Sequence, residues 1–475
     1  MAGISITQSR LSEELWLLRE LGYSGPDISI NIAATRNKGM RYSEAYTNLR
    51  ILDVIAVCLA TGKPEDFVAA AFDKREQISL VLAKSGNVDA ADNIRVVAFF
   101  SALKEAKCWV DMLPFLAKNT KENVDMRISK LHESITDLHV DLKSEANSYS
   151  FQSVEVEFPH SKHFFQAIYP HELPTANRIL DDLFRYCKVT SAFELQNDQA
   201  SYTKFVQLVG IADVLQNSLF LEYLISNRRV HPKLKGGAEN LKRRLGKIYQ
   251  YATLEKVIKL RKRLRDIPFY WVAETRHGME EGSCAVGAKL LDVVEYTLGR
   301  PPSPELTDAL RNYPHLMENW DLRPDFNPYV HVELRIILHL SRPWLSGSLP
   351  FPYNIGARLP VGCSNRSCLC CKLWIDSFNQ ITNLRWMMSG SNGEADDSWA
   401  LPGAAGEMKM VEDWKDFDQS VLGGVRYRLV DKLAELTPKT GMGDFASSGL
   451  DDKTSLERRN EVNKLFGAIW AELAE

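Results

Sequence analysis

Long apolar runs are missing from this 475-residue chain. No stretch approaches the ~20 uninterrupted apolar residues that a membrane-spanning helix needs, so insertion into a bilayer and a membrane partner are not expected. The first 21 residues carry acidic side chains inside their apolar pattern and offer no small-residue cleavage site, which argues against a secretory leader. Charge bias is missing too: 58 Lys and Arg against 61 Asp and Glu leave a net charge of −3, and the molecule as a whole exerts no electrostatic pull on nucleic acid. Tandem repeats and low-complexity tracts are absent. Cysteine is scarce, eight in all, and Cys58, Cys108, Cys187 and Cys284 are scattered through apolar, helix-like sequence. That distribution suits small buried hydrophobes in a reducing compartment better than a disulfide framework, and the expected location is intracellular, in cytoplasm or nucleus.

What is present is enough apolar material, 45% of residues, to bury several cores in roughly two to four domains. Apolar positions recur at three and four spacings through residues 1–150, from Leu11, Leu15 and Leu18 to the 96–116 stretch, and predict a helical domain. Val154, Val156 and Phe158 alternate and predict a short strand. The rest of 151–266 is expected to be mainly helical and includes a basic segment, 228–265, with fourteen Lys and Arg against two acidic residues. Leu254, Val257, Ile258, Leu260 and Leu264 form an apolar stripe between those charges, the pattern of a basic amphipathic helix pair. Its bland reading is a solvated face docked on the core; its functional reading is a surface for phosphate. Strand candidates at 269–273, 358–361 and 381–388 alternate with helix candidates at 286–298 and 372–378, so residues 267–437 are expected to form an α/β domain. Residues 438–475 make a tail whose Val462, Leu465, Phe466, Ile469, Trp470 and Leu473 form an amphipathic stripe; the oligomeric state is left open.

The other four cysteines fall within GCSNRSCLCCKLW, residues 362–374. If a helix begins near Ser367, Cys368 and Cys371 share one face at a separation suited to one tetrahedral metal ion, and the positive helix N-terminus favours their thiolates. Zinc is the natural cation for such donors. A third donor is offered upstream by PYVHVELRIILHL, residues 328–340, in which His331 precedes Glu333 at a helix entrance after Pro328. With His331, Cys368 and Cys371 as ligands, a fourth position stays open for water, and Glu333 is placed to take a proton from that water and pass it on. Cys363 or Cys370 could replace a named ligand, a four-thiolate closed site would be structural, and a metal-free buried cluster is the third alternative. Glu274 and His277, just after the 269–273 strand, are candidate pocket residues.

The order His331-Val332-Glu333 followed by Ser367-Cys368-x-x-Cys371 resembles the zinc-dependent cytidine and nucleic-acid deaminase superfamily, whose signature is H-x-E followed by P-C-x-x-C. More narrowly, Val330 to Leu334 together with Gly362-Cys363-Ser364-x-x-Ser367-Cys368-x-x-Cys371 resembles the Orientia-type deaminase-like family, common in fungi. Ser389-Gly390-Ser391-x-Gly393, Trp399 and Pro402 are similar to that family's downstream block, which makes Ser389, Ser391 and Trp399 further candidates for substrate binding. The resemblance covers about 270–437. It implies a cytidine-deaminase-like αβα sandwich in the C-terminal half beside a large mainly α-helical N-terminal region, Zn2+ as cofactor, and hydrolytic removal of an exocyclic amine from a nucleobase in a nucleotide or nucleic acid, with Glu333 as proton shuttle. Ser367 stands where the signature has proline, leaving a possible helix cap. The hairpin that should precede the His331 helix is not legible in 267–330. The competing reading keeps the zinc as a fold element and gives the chain a protein- or nucleic-acid-binding role.

Overall fold

The computed structural model describes most of residues 2–437; the larger stretches outside the description are 30–42, 273–287, 346–357, 403–413 and 438–475. The main elements in chain order are α1 (Ala2–Glu20), β1 (Ile28–Ser29), α2 (Glu44–Leu59), β2 (Val68–Asp73), β3 (Ser79–Lys84), α3 (Ala90–Glu105) and α4 (Lys121–Ser148). There follow α5 (Ala176–Thr190), α6 (Gln199–Gln216), α7 (Leu219–Ser226), α8 (Pro232–Tyr249), β4 (Phe269–Trp271), α9 (Leu290–Leu298) and α10 (Pro304–Arg311). The C-terminal part contributes α11 (Val332–Leu345), β5 (Arg358–Cys363), α12 (Leu369–Thr382), β6 (Arg385–Met387), β7 (Gly390–Ser391) and α13 (Trp414–Leu436).

The fold is α/β, built on a mixed five-stranded sheet in the order β4-β3-β2-β5-β6. β3 and β4 are parallel, as are β5 and β6, while β2 runs antiparallel to both of its neighbours. Four strands therefore point one way around a reversed centre. Side chains of the central hairpin alternate between two cores: Val68, Ala70, Leu80 and Leu82 join one, and Ala69, Ala71, Val81 and Ala83 the other. Helices α2 to α8 cover the first face, and α1 with α9 to α13 the second.

The N-terminal region is mainly helical, with one consequential correction. Residues 67–72, expected within a helix, fall on β2 (Val68–Asp73) apart from Phe67, and β2 pairs with β3 and β5, so the sheet joins segments from the expected helical domain, 1–150, and the expected zinc domain, 267–437. The strand expected at 154–158 is also corrected. Val154–Glu157 is a turn of helix in which the amides of Val156 and Glu157 donate to the Ser153 carbonyl. Buried Glu157 accepts from the Phe220 amide and the Tyr149 hydroxyl, an arrangement an extended strand would forgo. The other three strands fall within or overlap their expected places, at β4, β5 and β6. The basic segment folds as the expected helix pair, α8 followed by a short helix at Leu254–Lys259. Among the described residues no single helix is long and apolar enough to cross a membrane. The C-terminal amphipathic stripe, 462–473, lies outside the described residues.

Candidate metal centre and its pocket

His331 sits at the entrance of α11, where its carbonyl accepts from the amides of Leu334 and Arg335. Arg335, fully buried one turn on, donates to the carbonyls of Val330 and Lys84 and so fastens this entrance to the end of β3. The second half of the site follows β5. Cys368, not Ser367, is the N-cap of α12: its backbone is extended and its sulfur accepts from the Cys371 amide at 3.5 Å. Ser367 instead donates its hydroxyl to the Gly390 carbonyl.

These two helix starts bring three donors together. Nδ1 of His331 lies 3.7 Å from the sulfur of Cys368 and 3.4 Å from that of Cys371, and all three donor atoms fall within 4.8 Å of one another. Zn–S and Zn–N bonds at a tetrahedral angle put nitrogen and sulfur about 3.6 Å apart, so the donor set fits that cation. It is the one such group among the described residues, and Cys363 and Cys370 are not part of it. Its electrostatics suit a cation as well. Burial opposes charge on Cys368, but hydrogen bonding from Cys371 and the adjacent imidazole outweigh it and bring that thiol down to about 7. Burial pushes the Cys371 thiol well up, with the Cys368 and Glu333 charges adding to the effect. On His331, burial is outweighed by the charges of Cys368, Glu333 and Asp396, which raise the imidazole to about 9.

Sequence reading missed Asp396 altogether. Its carboxylate lies 3.5 Å from Nε2 of His331, which makes no hydrogen bond among the described residues, so one imidazole nitrogen faces the sulfurs and the other an acid at ion-pair distance. Tyr329 stacks on the same ring at a centroid distance of 5.0 Å. Nothing in the local spacing relates residue 396 to residue 331; only the fold does.

The downstream block braces the site. Ser391 is buried and donates its hydroxyl to the carbonyls of Ser367 and Cys368, while the Leu369 amide donates to the Glu394 carbonyl. Ser389 donates its hydroxyl to the buried carboxylate of Asp53 on α2. Trp399, fully buried, donates its indole N–H to the Cys371 sulfur at 3.2 Å. Ser389, Ser391 and Trp399, expected as candidates for substrate binding, are each engaged in these bonds, and none is among the residues lining the cavity beside the cluster. Glu274 and His277 lie outside the described residues.

A cavity of about 630 Å³ opens beside the cluster, within the 300–1,000 Å³ usual for small-ligand sites. Glu333, buried, lines it with His331, Cys363 and Cys368. Lys130, Arg243, Arg244, Lys247 and Arg366 line it too, so part of the basic segment reaches this site. Arg127 secures that approach. Its guanidinium donates to Asn123, to the Lys247 carbonyl, to Gln250 and to the Ser364 carbonyl, tying α4, α8 and the loop after β5 together. Comparison with known protein families, curated proteins and solved structures finds no match.

Proposed function

We propose that this chain is a zinc-dependent hydrolytic deaminase acting on a nucleobase carried by a nucleotide or nucleic acid. The observation that carries the reading is Glu333, a buried carboxylate lining the same cavity as His331 and Cys368. A cluster that only fastened the fold would gain nothing from an acid facing that space. His331, Cys368 and Cys371 are the residues that would hold the ion, three protein donors being the number common to catalytic zinc sites. When bound, zinc lowers the pKa of a water molecule to about 7 and so furnishes a nucleophile at neutral pH. Glu333 would take one proton from that water and pass it to the ring nitrogen as the C–O bond forms, then take the second from the added hydroxyl and pass it to the amine, which leaves as ammonia as the C–N bond breaks, the role of the non-ligand glutamate in zinc deaminases. Asp396, which faces Nε2 of His331 at 3.5 Å, would orient the ring.

Topology supports the same reading. The hairpin expected before the His331 helix has a counterpart in β2 and β3, which lie between β4 and β5 in the sheet although they precede His331 by some 250 residues in sequence. The two motif helices, α11 and α12, pack on one face of this sheet, as a cytidine-deaminase-like αβα sandwich requires.

The test is ammonia release by zinc-loaded protein from nucleosides, nucleotides and single-stranded oligonucleotides. Wild type is expected to deaminate at least one member, and Glu333→Ala to lose at least about a hundredfold in rate with zinc content unchanged. A zinc-loaded wild type inert on every member overturns the reading.

A further inference from the structure

We propose that Arg243, Arg244 and Lys247 on α8, with Lys130 on α4 and Arg366 after β5, form a phosphate-binding wall, and that the substrate is a small nucleoside phosphate rather than a polynucleotide strand. The base half of this inference rests on the deaminase reading; the phosphate half does not.

Six cations line one cavity in a chain of net charge −3; Arg19 is paired with Asp397 at 2.7 Å, and the other five make the wall. Among the described residues, Nε of Arg244 is buried with no hydrogen-bond partner, and the Lys247 ammonium meets the Asn365 side chain at 3.5 Å. Burial and the guanidiniums of Arg127, Arg244, Arg243 and Arg366 hold the Lys247 ammonium well below its ordinary range. Such a concentration of like charge is unfavourable by itself and is relieved by a dianion with several acceptor oxygens, which arginine pairs engage bidentately. The cavity's carboxylates, Glu333, Glu394 and Asp396, come from α11 and the loop after β7, whereas Lys130, Arg243, Arg244 and Lys247 come from helices covering the other face of the sheet. One ligand can therefore place a phosphate at one side and an amine-bearing ring at the other.

Compactness favours a single phosphate group. Lys242 is held by Glu222 at 2.7 Å and Lys259 by Glu255 at 3.7 Å, and neither lines the cavity. Lys233 and Lys235 lie eight to ten residues before Arg243 on α8, about 12–15 Å along its axis. Among the described residues the cations at the cavity make a patch, where a strand-tracking groove would need a continuous stripe.

The first experiment titrates Glu333→Ala protein with inorganic phosphate by calorimetry and needs no deamination. Saturable binding, weakened at least about tenfold in an added Arg244→Gln or Arg243→Gln change, is expected, the size of one charge-assisted hydrogen bond. Unchanged thermal melting certifies that each variant folds. No saturable binding, or binding indifferent to both changes, overturns the phosphate wall. The second compares a nucleoside, its 5′-monophosphate and an oligonucleotide ending in it. The monophosphate is expected to have the highest kcat/KM, and Arg244→Gln to raise its KM at least about tenfold while leaving the nucleoside unaffected. Preference for the oligonucleotide overturns the small-substrate assignment. Phosphate binding without any deamination would overturn the deaminase reading and leave the wall standing.

Discussion

The indole N–H of Trp399 points at the sulfur of Cys371 across 3.2 Å, and neither side chain is exposed to solvent. A hydrogen bond to a thiolate stabilises its charge and holds the sulfur in place, so in the proposed zinc site this donor would tune the ligand without touching the ion. Trp399→Phe keeps most of the buried ring and removes the donor. Zinc affinity, read by competition with a chromophoric chelator, is expected to fall about tenfold, with the far-ultraviolet circular dichroism spectrum unchanged. Unaltered affinity would mean that the indole serves packing alone.

Asp396 acts from the other side. Its Oδ2 faces Nε2 of His331 at 3.5 Å, while its Oδ1 accepts from the amide and hydroxyl of Ser398. Asp396→Asn retains an oxygen for Ser398 but removes the negative charge that orients the imidazole. Zinc binding is expected to weaken about tenfold to a hundredfold, with less than about 1 kcal/mol lost from the stability of the metal-free protein. A large loss of metal-free stability, with affinity preserved, would reassign Asp396 to the loop.

The meeting of His331, Cys368 and Cys371 was legible because each motif lies at a helix start, where local sequence determines geometry, and Glu333, two residues after His331, lines the cavity beside them. The hairpin was not. Val68–Ala71 and Leu80–Ala83 are buried on both faces, so they read as continuous apolar runs with no period of two, and such runs cannot be told from helix by periodicity. Asp396 and Trp399 were illegible in role for another reason: they meet residues 65 and 28 positions away, and only the closed fold brings them there. The α8 charges were visible as a basic segment, but their convergence on the His331 cavity needed the Arg127 bridge to Ser364.

Asp53 gives the fold a pH dependence. Burial raises its carboxyl from 3.8 to about 6, against hydrogen bonds from Ser389 and the Cys363 amide that favour the charged form. The folded state thus holds this proton more tightly than the unfolded state. Its contribution is most favourable below about pH 4, is lost as pH rises through about 6, and is constant above; the span is up to about 3 kcal/mol. Asp53→Asn removes the titration. Melting temperatures between pH 4.5 and 7.5 are expected to show the variant gaining on wild type as pH rises. A parallel displacement of the two curves would mean that Asp53 does not titrate in this window.

Two glycines separate close approach from conformational freedom. A methyl group on Gly362 would meet the Leu52 carbonyl carbon at 2.1 Å and the Asp53 amide nitrogen at 2.2 Å, both backbone atoms of α2 that cannot turn aside. Gly362 pairs with Ala70 in the sheet, one residue before Cys363, so forcing α2 away also disturbs the strand leading into the cysteine motif. Gly423, exposed within α13, has nothing within 4 Å of such a methyl group. Gly362→Ala is expected to cost more than about 3 kcal/mol in urea denaturation and to lower zinc affinity with it. Gly423→Ala is expected to stabilise by about 0.5–1 kcal/mol, because alanine restricts the unfolded chain and favours helix. The same substitution thus acquires opposite signs from its surroundings, and comparable midpoints for the two variants would contradict the packing of α2 against β5.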